Sequence, residues 1–76
     1  MNNKVVVRIL GSEYTLVGDD PSQLKSIARY VDEEMDKVKQ GRPQLNQITT
    51  SILASLNIAK ELYSFGDENE KLRSQL

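Results

Sequence analysis

Seventy-six residues suffice for one small domain, in the size range where a single core is marginal and is commonly reinforced by disulfides, metals or oligomerisation. The chain has no Cys and no His, which excludes disulfides and removes the usual zinc and copper ligands, so oligomerisation is the expected source of extra stability. Ten basic against eleven acidic residues leave a net charge of −1, too little for a global field that draws in nucleic acid or an anionic membrane.

Lys4 to Leu10 reads as a strand, with Val5, Val7 and Ile9 on one face and Val6, Arg8 and Leu10 on the other. No run here or elsewhere is long enough to cross a bilayer. Arg8 interrupts the apolar start too early for a signal peptide, so a soluble intracellular protein without membrane insertion is expected. A second strand, Glu13 to Val17, follows Gly11-Ser12, and a two-residue loop with Gly first predicts a type II′ hairpin turn. Tyr14 and Leu16 share one face, opposite Thr15 and Val17, so the hairpin needs a helix or more strands against its apolar side.

Gly18-Asp19-Asp20-Pro21 ends the hairpin and starts a helix, with Asp20 as cap, Pro21 at the first helical position and Gln23 placed for the return half of a capping box. Leu24, Ile27, Ala28, Val31, Met35 and Val38 form its apolar stripe, while Lys25, Arg29, Asp32, Glu33, Asp36 and Lys37 are expected to face outward. Lys37 and Lys39 suit the last turn, and Gly41 with Pro43 marks the stop.

A second, longer helix is expected from about Leu45, with Asn46, Thr49 and Ser51 as alternative early capping groups. From Ile52 to Phe65 it is apolar around most of its circumference, leaving a polar stripe of only Asn57, Lys60, Glu61 and Ser64. A helix in a monomer shows one apolar sector to one core, so a second copy or another protein is expected to cover the rest. Ile58, Leu62, Phe65, Asn69, Leu72 and Leu76 alternate in steps of four and three as a coiled-coil seam, with Asn69 at a position where a polar residue fixes register. Gly66 costs about 1 kcal/mol relative to Ala inside a helix. Asp67 with Glu70 offers the alternative of a new cap after a break, but the seam runs in phase through Gly66. A continuous helix is therefore expected, with Asp67 and Lys71 as a favourable pair. The resulting fold class is α+β: a small ββαα head with a β-hairpin and one amphipathic helix over residues 1–43, followed by a long C-terminal coiled-coil helix over residues 44–76 for assembly.

Catalysis has little to work with. Ser22 and Lys25 fit the bare Ser-x-x-Lys spacing but sit at an exposed helix start, where capping explains them better. Asp32, Glu33, Glu34 and Asp36 are read as a mostly solvated face with Arg29 and Lys37 nearby, because a hard cation needs oxygens converging on one point. No cofactor or metal site is expected, and the chain is read as a non-enzyme. Arg8, Lys25, Arg29, Lys37, Lys39 and Arg42 form a basic patch if hairpin and first helix lie side by side, and a small dimeric nucleic-acid binder is the alternative reading. Interleaved acidic residues weigh against it. Tyr14, Tyr30, Tyr63 and Phe65 are expected as core or oligomer contacts.

The stretch Gly11-Ser12-Glu13-Tyr14-Thr15-Leu16-Val17-Gly18, the helix Leu24-Lys25-Ser26-Ile27-Ala28-Arg29-Tyr30-Val31-Asp32 with Met35, and Leu53-Ala54-Ser55-Leu56-Asn57-Ile58-Ala59-Lys60-Glu61-Leu62 together resemble the bacterial ZapA family over nearly the whole chain. That resemblance implies a cytoplasmic cell-division factor acting at the division site. It would bind the tubulin-like GTPase FtsZ, form homodimers and antiparallel tetramers through its long helices, and promote lateral association of filaments. Ile52, Leu56, Ala59, Leu62, Phe65, Asn69, Leu72 and Leu76 are then expected to carry oligomerisation, and exposed head residues, with Arg8, Ser12, Glu13 and Arg42 as candidates, to carry partner binding. Two departures stand out. Ser12 replaces a basic residue that some relatives carry after the hairpin glycine, and the seam stops at Leu76, which implies a shortened chain or a weaker tetramer.

Overall fold

The computed structural model describes the backbone of residues 3–74 and the side chains of residues 3–66. In chain order it comprises β1 (Lys4–Ile9), β2 (Ser12–Val17), α1 (Pro21–Gly41) and α2 (Gln47–Ser74), an α+β arrangement of one hairpin and two helices. The strands are antiparallel, with Val5 opposite Leu16, Val7 opposite Tyr14 and Ile9 opposite Ser12. Val5 and Val7 are buried against Ala28 of α1, with Ile9, Leu16 and Leu24 packed around them, as the strand alternation predicts.

The turn differs from the sequence expectation. Its two residues are Leu10 and Gly11, not Gly11 and Ser12, and both have positive φ, 51° and 82°. This is the pattern of a type I′ turn, whose twist matches the flanking strands, and not of type II′. Leucine in a left-handed conformation is disfavoured by about 1–2 kcal/mol. Here its N–H donates to Asp32 Oδ1 on α1 at 2.8 Å, so a tertiary hydrogen bond holds the turn in that register. Asp32, expected to face solvent, is half-buried and serves as this anchor.

Asp20 caps α1 by accepting from Gln23 N at 3.1 Å, with Pro21 in the first turn. Gly18 precedes the cap where the chain passes close to Leu24: a Cβ there would lie 2.7 Å from Leu24 Cδ1, so the small residue permits that approach. At the other end Arg42 N donates to Val38 O, closing the helix one residue before Pro43. Asn46 is the cap of α2, its Oδ1 accepting from Thr49 N at 2.8 Å. Leu45 lies outside that helix, its N–H bonded to Arg42 O across the connection.

The helices run antiparallel. Tyr30 hydroxyl donates to the Glu61 carboxylate, while Val38 and Gly41 share a groove with Leu53 and Asn57. Thr50 and Ala54 are buried on this side of α2. Glu34, in the acidic cluster read as a mostly solvated face, is 4% exposed on the α1 stripe that meets α2. Its partner is Lys37 Nζ at 3.4 Å. Ile27, expected in the core stripe, is 52% exposed because the hairpin covers only the sector centred on Ala28.

From Lys60 to Gly66 every residue of α2 is exposed, so the helix leaves α1 just past Glu61. The α2 backbone continues through Gly66 as one helix to Ser74, the unbroken course expected there. The described residues form a flat body, with extents of 45 × 42 × 14 Å and a radius of gyration of 15.7 Å. A compact single chain of this length would have a radius of about 11 Å.

Candidate assembly and docking surfaces

The circumference of α2 divides between two environments. Thr50, Ala54 and, in part, Leu53 and Ile58 face α1. Ile48, Ile52, Leu56, Leu62, Tyr63 and Phe65 are large apolar side chains left exposed. A helix turned toward a single core would bury its apolar residues in one sector, whereas here more apolar surface points away from the core than into it. Ile52, Leu56, Ala59, Leu62 and Phe65 of the expected oligomerisation set are thus all accessible. The helical backbone carries Asn69 and Leu72 onward from them, while Leu76, and the Asp67–Lys71 side-chain pair, lie outside the described residues.

A second apolar feature continues from this surface. The uncovered half of the hairpin face, Tyr14 and Leu16, together with Val31 and Met35 of α1 and Ile48 of α2, lines an open groove of about 610 Å³. Its floor is the same face that buries Val5 and Val7 farther along β1. Sequence reasoning placed Tyr14 and Leu16 on this face, but did not place Ile48 beside them. Their meeting depends on the path of the connection between α1 and α2, where Lys39 Nζ donates to Leu45 O.

The expected partner-binding residues do not form one site. Arg8 and Glu13 are cross-strand neighbours and form an exposed ion pair at 3.0 Å, with Ser12 beside them at the turn. Arg42 stands at the C-terminal end of α1, in a separate groove with Lys37, Gly41 and Asn57. The basic set is split in the same way. Arg8, Lys25 and Arg29 line one groove with Asp32, whereas Lys37 and Arg42 line the other. No aromatic residue enters either groove, and nothing in this arrangement favours the nucleic-acid reading.

Among the described residues, no group of three or more His, Cys, Asp or Glu is placed to hold a metal ion, and no helix is long and apolar enough to cross a membrane. Fold and surface define an α+β hairpin-and-two-helix protein with a long helix whose apolar sides remain open to other chains. A family model described as cell division protein ZapA matches residues 5–76, and the chain belongs to the ZapA family of cell division proteins. Cell division protein ZapA of Geobacillus kaustophilus is 35% identical over 74 residues, which cover 96% of this chain and 81% of that protein. The Geobacillus thermodenitrificans relative is 32% identical with the same coverage, 96% and 81%. Among solved structures, a mutant ZapA dimer from Geobacillus stearothermophilus matches with a TM-score of 0.72 at 32% identity, covering 100% of this chain and 90% of that one. A structure described as an unknown conserved bacterial protein from Pseudomonas aeruginosa PAO1 matches with a TM-score of 0.83 at 27% identity, covering 96% and 82%.

Proposed function

We propose that this chain is a non-enzymatic, cytoplasmic division-site factor that assembles through α2 and cross-links FtsZ filaments. The observation that carries the reading is the row of large apolar side chains on α2 that the chain's own core leaves exposed. In this reading Ile52, Leu56 and Ala59, with the groove between hairpin and helices, join two copies into a dimer. Leu62, Phe65, Asn69, Leu72 and Leu76 join dimers through the arms into an antiparallel tetramer with heads at both ends. Residues 1–43 act as the recognition head and residues 44–76 as the assembly arm.

Such an object needs no chemistry to bundle filaments. Several weak head contacts on one rigid body combine through effective concentration, so a filament held by one head presents its neighbour to another. The hairpin set, Arg8, Ser12 and Glu13, and the separate Arg42 are the candidate contacts on each head. The test has two parts: molar mass against protein concentration by light scattering, and co-sedimentation with FtsZ and GTP. Concentration-dependent dimers and tetramers together with increased FtsZ pelleting are expected. An assembled protein that leaves FtsZ sedimentation and light scattering unchanged would refute the cross-linking role.

A further inference from the structure

Among the described residues the sheet has two strands, so β1 has a free edge. Pairing across the turn starts at Ile9 and Ser12, and Gly18 N donates to Asn3 O at the open end, so the odd-numbered residues of β1 bond to β2. Strand alternation then turns the N–H and C=O groups of Lys4, Val6 and Arg8 outward along the opposite edge. Leu10 is next in that series, and its N–H is already taken by the Asp32 carboxylate. That bond closes one end of the edge and shows that α1 lies within a side chain's reach of it.

Beside this edge runs a groove of about 270 Å³. It is lined by Val6, Val7 and Arg8 of β1 and by Lys25, Ala28, Arg29 and Asp32 of α1, and the one carboxylate among them, Asp32, already accepts the Leu10 N–H. Among the described residues the ion pairs are Arg8–Glu13 and Glu34–Lys37, so neither Lys25 nor Arg29 has a carboxylate partner there. An unsatisfied strand edge flanked by unpaired cations on one side of a hairpin is a template for strand addition with a charge requirement.

We propose that the β1 edge docks an extended acidic peptide, which adds as a third strand and sets alternate carboxylates against Lys25 and Arg29. The spacing fits. Same-face side chains of a strand recur about every 6.8 Å, and side chains four apart on a helix lie about 5–6 Å apart. Two carboxylates separated by one residue therefore match Lys25 and Arg29, while the peptide backbone bonds to Val6 and Arg8. A second copy of this chain fits the edge poorly, because pairing β1 with β1 about a twofold axis sets Lys4, Arg8, Lys25 and Arg29 against the same cations. The site does not depend on the filament partner proposed above, and its test contains no FtsZ.

The experiment uses the full chain and a fluorescein-labelled nine-residue peptide with Glu at alternate positions and Val or Thr between, read by anisotropy at low salt. Binding is expected, with slowed hydrogen exchange at the Val6 and Arg8 amides. The double substitution Lys25→Glu and Arg29→Glu should weaken it at least tenfold, and the matching peptide with Lys in place of Glu should regain affinity for that variant, which shows that the variant remains folded. N-methylation of the peptide at alternate bonding positions should cause a similar loss. The proposal is overturned if the acidic peptide does not bind, if the methylated peptide binds equally well, if charge reversal has no effect, or if the two Val6 and Arg8 amides are instead protected by self-association without peptide.

Discussion

Leu56→Ala tests the assembly surface at its most informative position. Leu56 is 60% exposed in the single chain, and Ala is at least as good a helix former, so the substitution leaves α2 and its packing on α1 intact. Full burial of a leucine is worth about 1.5–3 kcal/mol, so covering the exposed 60% contributes about 1–2 kcal/mol per copy. A twofold interface uses the residue twice, and Ala retains one of its four side-chain carbons, leaving a loss of about 1.5–3 kcal/mol. That corresponds to a dimer about 10- to 150-fold weaker. Sedimentation equilibrium of both proteins over a wide concentration range gives the two dissociation constants directly, with circular dichroism at high concentration as the check on helix content. A dissociation constant within threefold of the parent, at unchanged helicity, would refute the assignment of this face to the dimer.

Three further substitutions probe separate links. Asp32→Ala removes the acceptor of Leu10 N–H and should cost about 1–3 kcal/mol, measured as a lower urea midpoint at unchanged slope. Gly66→Ala meets nothing within 4 Å of the added methyl and should raise helicity and stabilise the arm by about 1 kcal/mol, read from thermal melts; a lower melting temperature would contradict a continuous helix in solution. Phe65→Glu, on an exposed stretch past the last contact with α1, should leave the head folded and remove the larger oligomer; undiminished mass by light scattering would show that the arm is not the second interface.

What the sequence made legible was governed by local chemistry. Alternation in β1 and β2, the Asp20 cap, Pro21 and the Gly41–Pro43 stop each act within a few residues, and each element appears where those signals put it. The departures all trace to contacts between elements. Leucine would not ordinarily be assigned a left-handed turn position; Leu10 takes it because Asp32, twenty-two residues away, binds its N–H. Glu34 reads as solvated on an isolated helix and is buried because α2 returns along that side. The apolar excess of α2 was visible in its composition, but its division into an α1-facing stripe and an exposed remainder follows from where Thr50, Ala54 and Glu61 meet α1, which periodicity alone leaves free.

The 14 Å thickness of the chain has its own consequence. Measured over Cα atoms, it is the depth of a hairpin layer on a helix layer, with Val5, Val7, Ala28, Met35, Thr50 and Ala54 as the buried interior. So small an interior leaves most of the large apolar side chains of α2 at its surface, so in an assembling chain a substitution there acts on folding and on association together. Apparent stability should then depend on dilution, and the same apolar replacement that is harmless at high protein concentration should become limiting when copies are scarce.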